Sequence, residues 1–403
     1  MAEGIGPLRL ALLADTFPPL RSSGAVQLKD LSRQFARDGH DLTVMIPSSD
    51  ILGSHVLEEI DGCRVLRLKA PRTKDISFVQ RVIGESLMSS AMQASLARSP
   101  LADARYDGVI WYSPTIFLGS LVSRLKRQSD CRGYLILRDV FPEWAVDMGL
   151  LGRGIPYHYF KAVEAHQYAQ ADVIGVQSES NLGYFKTWSA RPGRRAEVLQ
   201  NWLDGEAEQG CSIRISDTPL KTRKVFVYAG NMGIAQGMDR LINLAAALRD
   251  RHDVGFLFVG RGTEADRLRR QAKDRGLSNV LFHDEIPSEE IPGLYAQCHF
   301  GLVALDPRHK THNLPGKFLT YMRAGLPVLA SINPGNDLAA LIEDEGVGRA
   351  SVDPAGADLP QLALEMLTAA GSAGSAAERC KELFGRLFSP AAAARQIVRG
   401  LRE

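Results

Sequence analysis

The chain has 403 residues, room for two domains of ordinary size. Its 45% hydrophobic and 23% charged residues describe a globular protein with large cores, and a net charge of +2 lacks the basic excess that nucleic-acid partners require. Five scattered cysteines (Cys63, Cys131, Cys211, Cys298, Cys380) never form a C-x-x-C pair, which argues against a zinc site or a disulfide framework and fits a reducing compartment.

Residues 8–14 form an apolar run that follows Gly-Pro and ends at Asp15. It is too short to span a bilayer, carries no secretory signal and reads as a first buried strand. No later run reaches about 18 apolar residues, so a cytoplasmic protein with, at most, peripheral membrane contact is expected. Short β-rich runs at 41–46, 64–68, 108–112, 133–138, 172–177 and 197–201 then alternate with helical patterns such as 25–38 and 116–128. Several runs are apolar on both faces, as in a parallel sheet covered by helices on either side. Repeated βα units of this kind predict a doubly wound α/β domain.

The loop after the first strand reads Asp15-Thr16-Phe17-Pro18-Pro19, then Arg21-Ser22-Ser23-Gly24 ahead of a helix. Small residues let a backbone approach a ligand, and a helix start offers free N–H groups to an anion; an ordinary βα loop has the same composition. Next, Arg64, Arg67, Lys69, Arg72, Lys74 and Arg81 accompany a single acid, Asp75. The helix that follows places Val79, Ile83 and Leu87 at i, i+4 and i+8, with Phe78 and Val82 beside them. A basic, amphipathic stretch suits an anionic leaflet, and the same stripe also describes the core face of a helix. The run Tyr134-Leu135-Ile136-Leu137 predicts a central strand, followed by Asp139 and Glu143. Acids at that end of a strand are placed to contact a ligand hydroxyl or to act as a general base; a helix cap and a solvated acid are the plainer alternatives. His40, His158 and His166 read as structural or exposed.

The βα pattern restarts after about residue 205. The stretch 204–222 is polar, contains Gly205, Gly210 and Pro219, and is read as the interdomain linker. Strands at 225–229, 255–259, 280–283, 301–304 and 327–330 alternate with helices near 238–250, 263–275, 287–298, 314–324 and 336–344. The patch 369–377 reads as a Gly/Ser/Ala loop, and 390–402 as a last helix opened by Pro390. Domains are expected at 1–204 and 205–387, with a C-terminal helix at 388–403 crossing back to the first. The loop Gly230-Asn231-Met232-Gly233-Ile234-Ala235-Gln236-Gly237 puts three glycines in eight positions, which implies unusual backbone angles or a close ligand. The next strand ends in Val259-Gly260-Arg261-Gly262. In Lys310-Thr311-His312-Asn313-Leu314-Pro315-Gly316-Lys317, Asn313 is a good N-cap and Pro315 fits a first turn. That helix end with Lys317 makes a compact site for phosphate; a surface lysine on a capped helix is the alternative.

Together these segments resemble glycosyltransferase family 4. The resemblance rests on the loop 230–237, the turn 259–262, Pro315-Gly316-Lys317 with Tyr321-Met322-x-x-Gly325-x-Pro327-Val328, and residues 341–348. In the first half it rests on Phe17-Pro18-Pro19, Arg138-Asp139-Val140-Phe141-Pro142-Glu143 and Ala171-Asp172-Val173 with Gln177-Ser178. It covers nearly the whole chain in order. The runs 138–150 and 313–337 are most similar to bacterial O-antigen and capsule enzymes, in particular N-acetyl-L-fucosamine transferases. Two departures stand out. The family's Glu-x7-Glu pair is replaced by His312 and Thr320, and the Arg and Lys that grip the diphosphate by Asn231 and Gln236.

The resemblance implies a GT-B fold, two Rossmann-like domains facing a cleft. It implies a UDP-sugar donor, an N-acetylated deoxyhexosamine such as L-FucNAc, and a lipid-diphosphate sugar as acceptor at the inner membrane. Donor contacts are expected from Ser23, Gly24, Asn231, Gly233, Gln236, Gly260, Arg261, Glu285, His312, Asn313, Lys317 and Thr320, and catalysis from Asp139 and Glu143. No cofactor is implied, and no metal, since no Asp-x-Asp or histidine cluster is present. A nucleotide-sugar epimerase and a non-catalytic sugar-nucleotide-binding partner are the rival expectations.

Overall fold

The structure, a computed structural model, describes residues 6–20, 22–74, 76–147, 149–204, 210–307, 314–369 and 373–403. Two units emerge: residues up to Asn201 joined by Pro390–Glu403, and Trp202–Ser389.

The first unit is built on eight strands: β1 (Arg9–Leu13), β2 (Asp41–Ser48), β3 (His55–Ile60), β4 (Cys63–Lys69), β5 (Gly108–Tyr112), β6 (Arg132–Ile136), β7 (Val173–Val176) and β8 (Arg195–Val198). Their order is β3-β4-β2-β1-β5-β6-β7-β8. Every pairing is parallel except β3 with β4. The β3–β4 hairpin was not expected from the sequence. It turns at Asp61-Gly62, both at positive φ (52° and 78°), a dipeptide that favours tight hairpin turns. The central strands are buried throughout, as in β5, where all five residues are buried.

The C-terminal helix Pro390–Arg402 belongs to this unit. Ile397, Val398 and Leu401 are buried on it, and a side chain at Gly108 would meet Leu401 at 2.7 Å. Gln396 donates to Glu197 (2.9 Å) and to the Val198 carbonyl (2.8 Å), and Glu403 pairs with Arg195.

The second unit has six parallel strands: β9 (Lys224–Ala229), β10 (Val254–Val259), β11 (Val280–His283), β12 (Phe300–Ala304), β13 (Val328–Ser331) and β14 (Gly348–Ser351). The order is β11-β10-β9-β12-β13-β14. Alternation along β9 shows why both faces are covered. Val225, Val227 and Ala229 enter one buried cluster, Phe226 and Tyr228 the other.

Of the stretch read as the linker, residues 210–222 pack on the second unit, with Ile213, Ile215 and Leu220 buried in its core, while 205–209 lie outside the described residues. The 369–377 patch is not all loop, because a helix runs from Ala373 to Leu383. The helix Gly316–Ala324 has Pro315 in its cap position rather than in its first turn, and Asn313, expected as the N-cap, lies outside the described residues.

Candidate active site

In a doubly wound sheet, ligands gather outside the carboxyl ends of the strands, where the strand order reverses. That reversal falls between β9 and β12 in the second unit and between β1 and β5 in the first.

At the second reversal lies a cleft of about 340 Å³ lined by Gly230, Gly260, Glu285, Tyr295, Lys317 and Thr320, among others. Its floor is backbone. Gly260 has φ +139°, and a Cβ there would sit 2.1 Å from the Gly230 carbonyl oxygen. Only glycine permits both that angle and that approach. Gly230, at φ +134°, leaves room for Lys317, whose Nζ would be 3.0 Å from a Cβ at this position.

Lys317 lies on the first turn of Gly316–Ala324, with its ammonium 4.6 Å from the centre of the Tyr228 ring. Burial lowers its pKa to about 8. Among the described residues no acid or hydrogen-bond acceptor pairs with it. A desolvated cation held only by an aromatic face is a site prepared for an anion. The helix is fixed by Tyr321, whose buried hydroxyl lies 3.0 Å from the Val227 carbonyl and 3.2 Å from that of Leu302. A Cβ at Gly301 would stand 2.5 Å from the Tyr321 ring, so that glycine seats the tyrosine.

Other expected donor contacts are differently engaged. Gln236 accepts from the Gly233 N–H (2.9 Å) and from Asn231 (3.3 Å), so all three tie their own loop together. Arg261 pairs with Glu285 at 2.9 Å, with 81% of its side chain exposed. Thr320 turns its hydroxyl onto the Lys317 carbonyl (2.8 Å). His312 and Asn313 lie outside the described residues, as does Arg21.

In the first unit, Ser23 and Gly24 open the helix Ser23–Arg37, but its cap is Ser22, which accepts from the Ala25 N–H at 3.2 Å. A Cβ at Gly24 would lie 3.1 Å from the Tyr112 hydroxyl. Beyond β1 and β6 opens a cavity of about 260 Å³ whose lining includes Asp15, Arg81, Glu85 and Asp139 among aromatic walls. Asp139 is open to solvent on one side, yet surrounding atoms withdraw enough water to raise its carboxyl pKa, against the opposing charge of Arg138. Arg138 is only 6% exposed and donates to the Leu199 carbonyl at 2.8 Å.

Glu143 does not join Asp139 in this cavity. It accepts from the Tyr157 hydroxyl (2.9 Å) and pairs with Lys161 (3.1 Å). Burial pushes its pKa up, but hydrogen bonds from Tyr157, Tyr184 and Lys161 outweigh burial and leave it lowered. Sequence reasoning missed Asp15 and Tyr112 as neighbours of Asp139, and Gly230, Tyr228 and Tyr295 as neighbours of Lys317. For Asp15 there was a signal: an acid directly after an apolar strand at the edge of a small-residue loop.

The amphipathic stripe is resolved by the helix Phe78–Leu96. Its core face is Gly84, Met88, Met92 and Leu96. Phe78, Val79, Ile83 and Leu87 instead stand 53–70% exposed, so the stripe is not the core face. Trp144 and Leu150, which line the cavity beside Phe78, are exposed as well.

Fold and sites together define a class, the two-domain α/β proteins of GT-B architecture. Anabaena Alr3699/HepE, solved in complex with UDP, has this fold at TM-score 0.63 and 15% identity, over 98% of this chain and 99% of that one. WaaG, a glycosyltransferase involved in lipopolysaccharide biosynthesis, has it at TM-score 0.58 and 16% identity, over 98% and 99%. Within the class, residues 223–369 match the family described as glycosyl transferases group 1. The probable glycosyltransferase WbjE of Pseudomonas aeruginosa is 25% identical over 221 residues, 53% of this chain and 54% of that protein. The putative colanic acid biosynthesis glycosyl transferase WcaI of Escherichia coli K12 is 25% identical over 256 residues, 59% and 60% of the two chains. The chain thus matches between half and three-fifths of the length of these relatives.

Proposed function

We propose that the protein is a glycosyltransferase of bacterial surface polysaccharide synthesis. It passes a sugar from a UDP-sugar to a hydroxyl of a polyprenyl-diphosphate-linked sugar. The observation that carries this reading is Lys317, an ammonium desolvated over a glycine floor with no acid among the described residues to neutralise it. The group 1 match spans that site, and UDP is bound by a protein of the same fold. An N-acetylated deoxyhexosamine such as L-FucNAc is the donor sugar that the sequence resemblance favours.

The chemistry follows from charge. As the bond from sugar to diphosphate breaks, its electron pair moves onto a phosphate oxygen. Lys317 and the first turn of its helix stabilise that charge. The acceptor hydroxyl forms the new bond, and Asp139 receives its proton.

The exposed Phe78–Leu87 stripe, with Arg72, Lys74 and Arg81 nearby, has the chemistry of a peripheral contact with an anionic leaflet. No helix among the described residues is long and apolar enough to cross a membrane.

The test is UDP release from UDP-N-acetyl-L-fucosamine and related donors, with and without a polyprenyl-diphosphate-linked sugar. Release that requires the acceptor supports a transferase. Conversion of the free donor into its epimer without acceptor would make the protein an epimerase. Binding with no turnover under any condition would make it a non-catalytic partner.

A further inference from the structure

We propose that Asp15 is a second acid that meets the acceptor's hydroxyl groups, alongside Asp139. The assignment rests on the reading of the first-unit cavity as the acceptor site. Asp15 follows β1 and Asp139 follows β6, on either side of β5, and both line the same cavity of about 260 Å³. Tyr112, at the end of β5, feels the charge of both.

The acids around this cavity differ in what already holds them. Glu85 is paired with Arg81 at 2.8 Å, and Glu143 with Lys161 and Tyr157. Among the described residues Asp15 has no such side-chain partner, and its Oδ1 is buried without a hydrogen-bond donor. An ionised carboxylate accepts several hydrogen bonds, and leaving it buried and unsatisfied is costly. Burial raises its pKa, while the charges of Lys74 and Arg81 act to keep it ionised. Oδ1 itself is closed to solvent, but Asp15 as a whole is half-buried and lines the cavity, so its accessible part is what a sugar hydroxyl, an O–H donor, would meet. Phe117, Phe141 and Phe160 offer apolar walls against which a sugar ring or its aglycone can rest. The cavity is therefore matched to an amphiphilic saccharide: hydroxyls toward Asp15 and Asp139, apolar part toward Phe78, Trp144 and Leu150.

The probe is n-octyl β-D-glucoside below its micellar concentration, titrated by NMR into the full chain. Wild type should bind it. Asp15→Ala should weaken binding by about 10- to 100-fold, the range for a hydrogen bond to a charged group. Asp15→Asn, which keeps one acceptor oxygen, should lie between. UDP affinity should be unchanged in both, and the Asn variant should melt no lower than wild type, because a buried unpaired charge has been removed. A purely structural Asp15 gives the reverse, a lower melting temperature with unaltered glucoside binding. That result, or a wild type that does not bind the probe, overturns the assignment. If no lipid-linked sugar is ever glycosylated while the variants still lose the glucoside, the transferase reading falls and with it the acceptor role, leaving Asp15 as a saccharide-binding residue only. If transfer occurs and the Asp15 variants bind and turn over as wild type does, this assignment alone falls.

Discussion

In the second unit the candidate cleft has backbone for a floor, at Gly230 and Gly260, and among the described residues one ammonium, Lys317, on its wall, with Glu285 as an acid there. In the first unit the cavity is made of side chains, with Phe117, Phe141 and Phe160 around Asp15 and Asp139. A site built from backbone is fixed by glycines and by the tethering of one helix, so it tolerates change among the side chains around it. Thr320, Asn231 and Gln236, at positions where the sequence resemblance leads one to expect charged residues, are compatible with a site of that kind. A site built from side chains changes with every substitution, and it is the natural place for specificity to diverge. Under the proposed function, anion binding falls to the second unit and choice of acceptor to the first.

The sharpest way to break this division is at Asp139. Asp139→Asn should lower turnover by roughly 10²–10⁴-fold at saturating acceptor, the usual worth of a general base. UDP binding in calorimetry should not change. A parallel loss of UDP affinity would show that the two sites are not separable in this way.

Next comes Lys317→Ala, expected to weaken UDP binding by about 1–3 kcal/mol, the range of a charge-assisted bond. Lys317 has a pKa lowered to about 8, so UDP affinity of the wild type should fall as pH rises through that value. The alanine variant should lack this dependence. The stability of the unliganded protein should move in the opposite sense. Folding disfavours the charged form, so stability rises with pH between about 8 and the ordinary lysine value of 10.5. Flat profiles in both measurements would remove Lys317 from the anion site.

A smaller effect tests the tether. Tyr321→Phe leaves the carbonyls of Val227 and Leu302 without that donor and should cost about 1–3 kcal/mol in urea unfolding. Some loss of UDP affinity should accompany it, since the helix carries Lys317. The smallest expected change on activity is at Glu143. Glu143→Gln should keep wild-type turnover, because this acid is engaged with Tyr157 and Lys161. Its lowered pKa means it stabilises the fold above the ordinary carboxylate range, and this contribution is lost as pH falls through its folded value. The variant's deficit in melting temperature should accordingly shrink toward acid pH.

The sequence was most readable where burial dictates composition. The strands that are apolar on both faces, such as β5 and β10, lie within a residue or so of their expected positions. The β3–β4 hairpin was missed because β3 (His55–Ile60) is an edge strand with a half-exposed, acid-rich pattern that resembles a loop. Residues 210–222 were hard to read in the same way, because the apolar residues that anchor them, Cys211, Ile213, Ile215 and Leu220, are too few and unevenly spaced to show a helical or strand period. The place of Lys317 on the first turn of a helix was legible from the sequence. The engagement of Glu143 was not, since Tyr157, Lys161 and Tyr184 come from later in the chain. Periodicity locates elements, but it does not say which acid a distant tyrosine will satisfy.

The helix Pro390–Arg402 has a bearing on how the molecule is made. It supplies Ile397, Val398 and Leu401 to the first unit, although that unit's other residues leave the ribosome first. Until residues beyond 389 emerge, the sheet face at Gly108 and Tyr134 has no cover. The wait is the translation time of residues 202–389, roughly 10–40 s at about 5–20 residues per second. The nascent N-terminal half therefore spends that interval with apolar surface bare, a natural client for a chaperone, and the half that begins synthesis is the last to be finished.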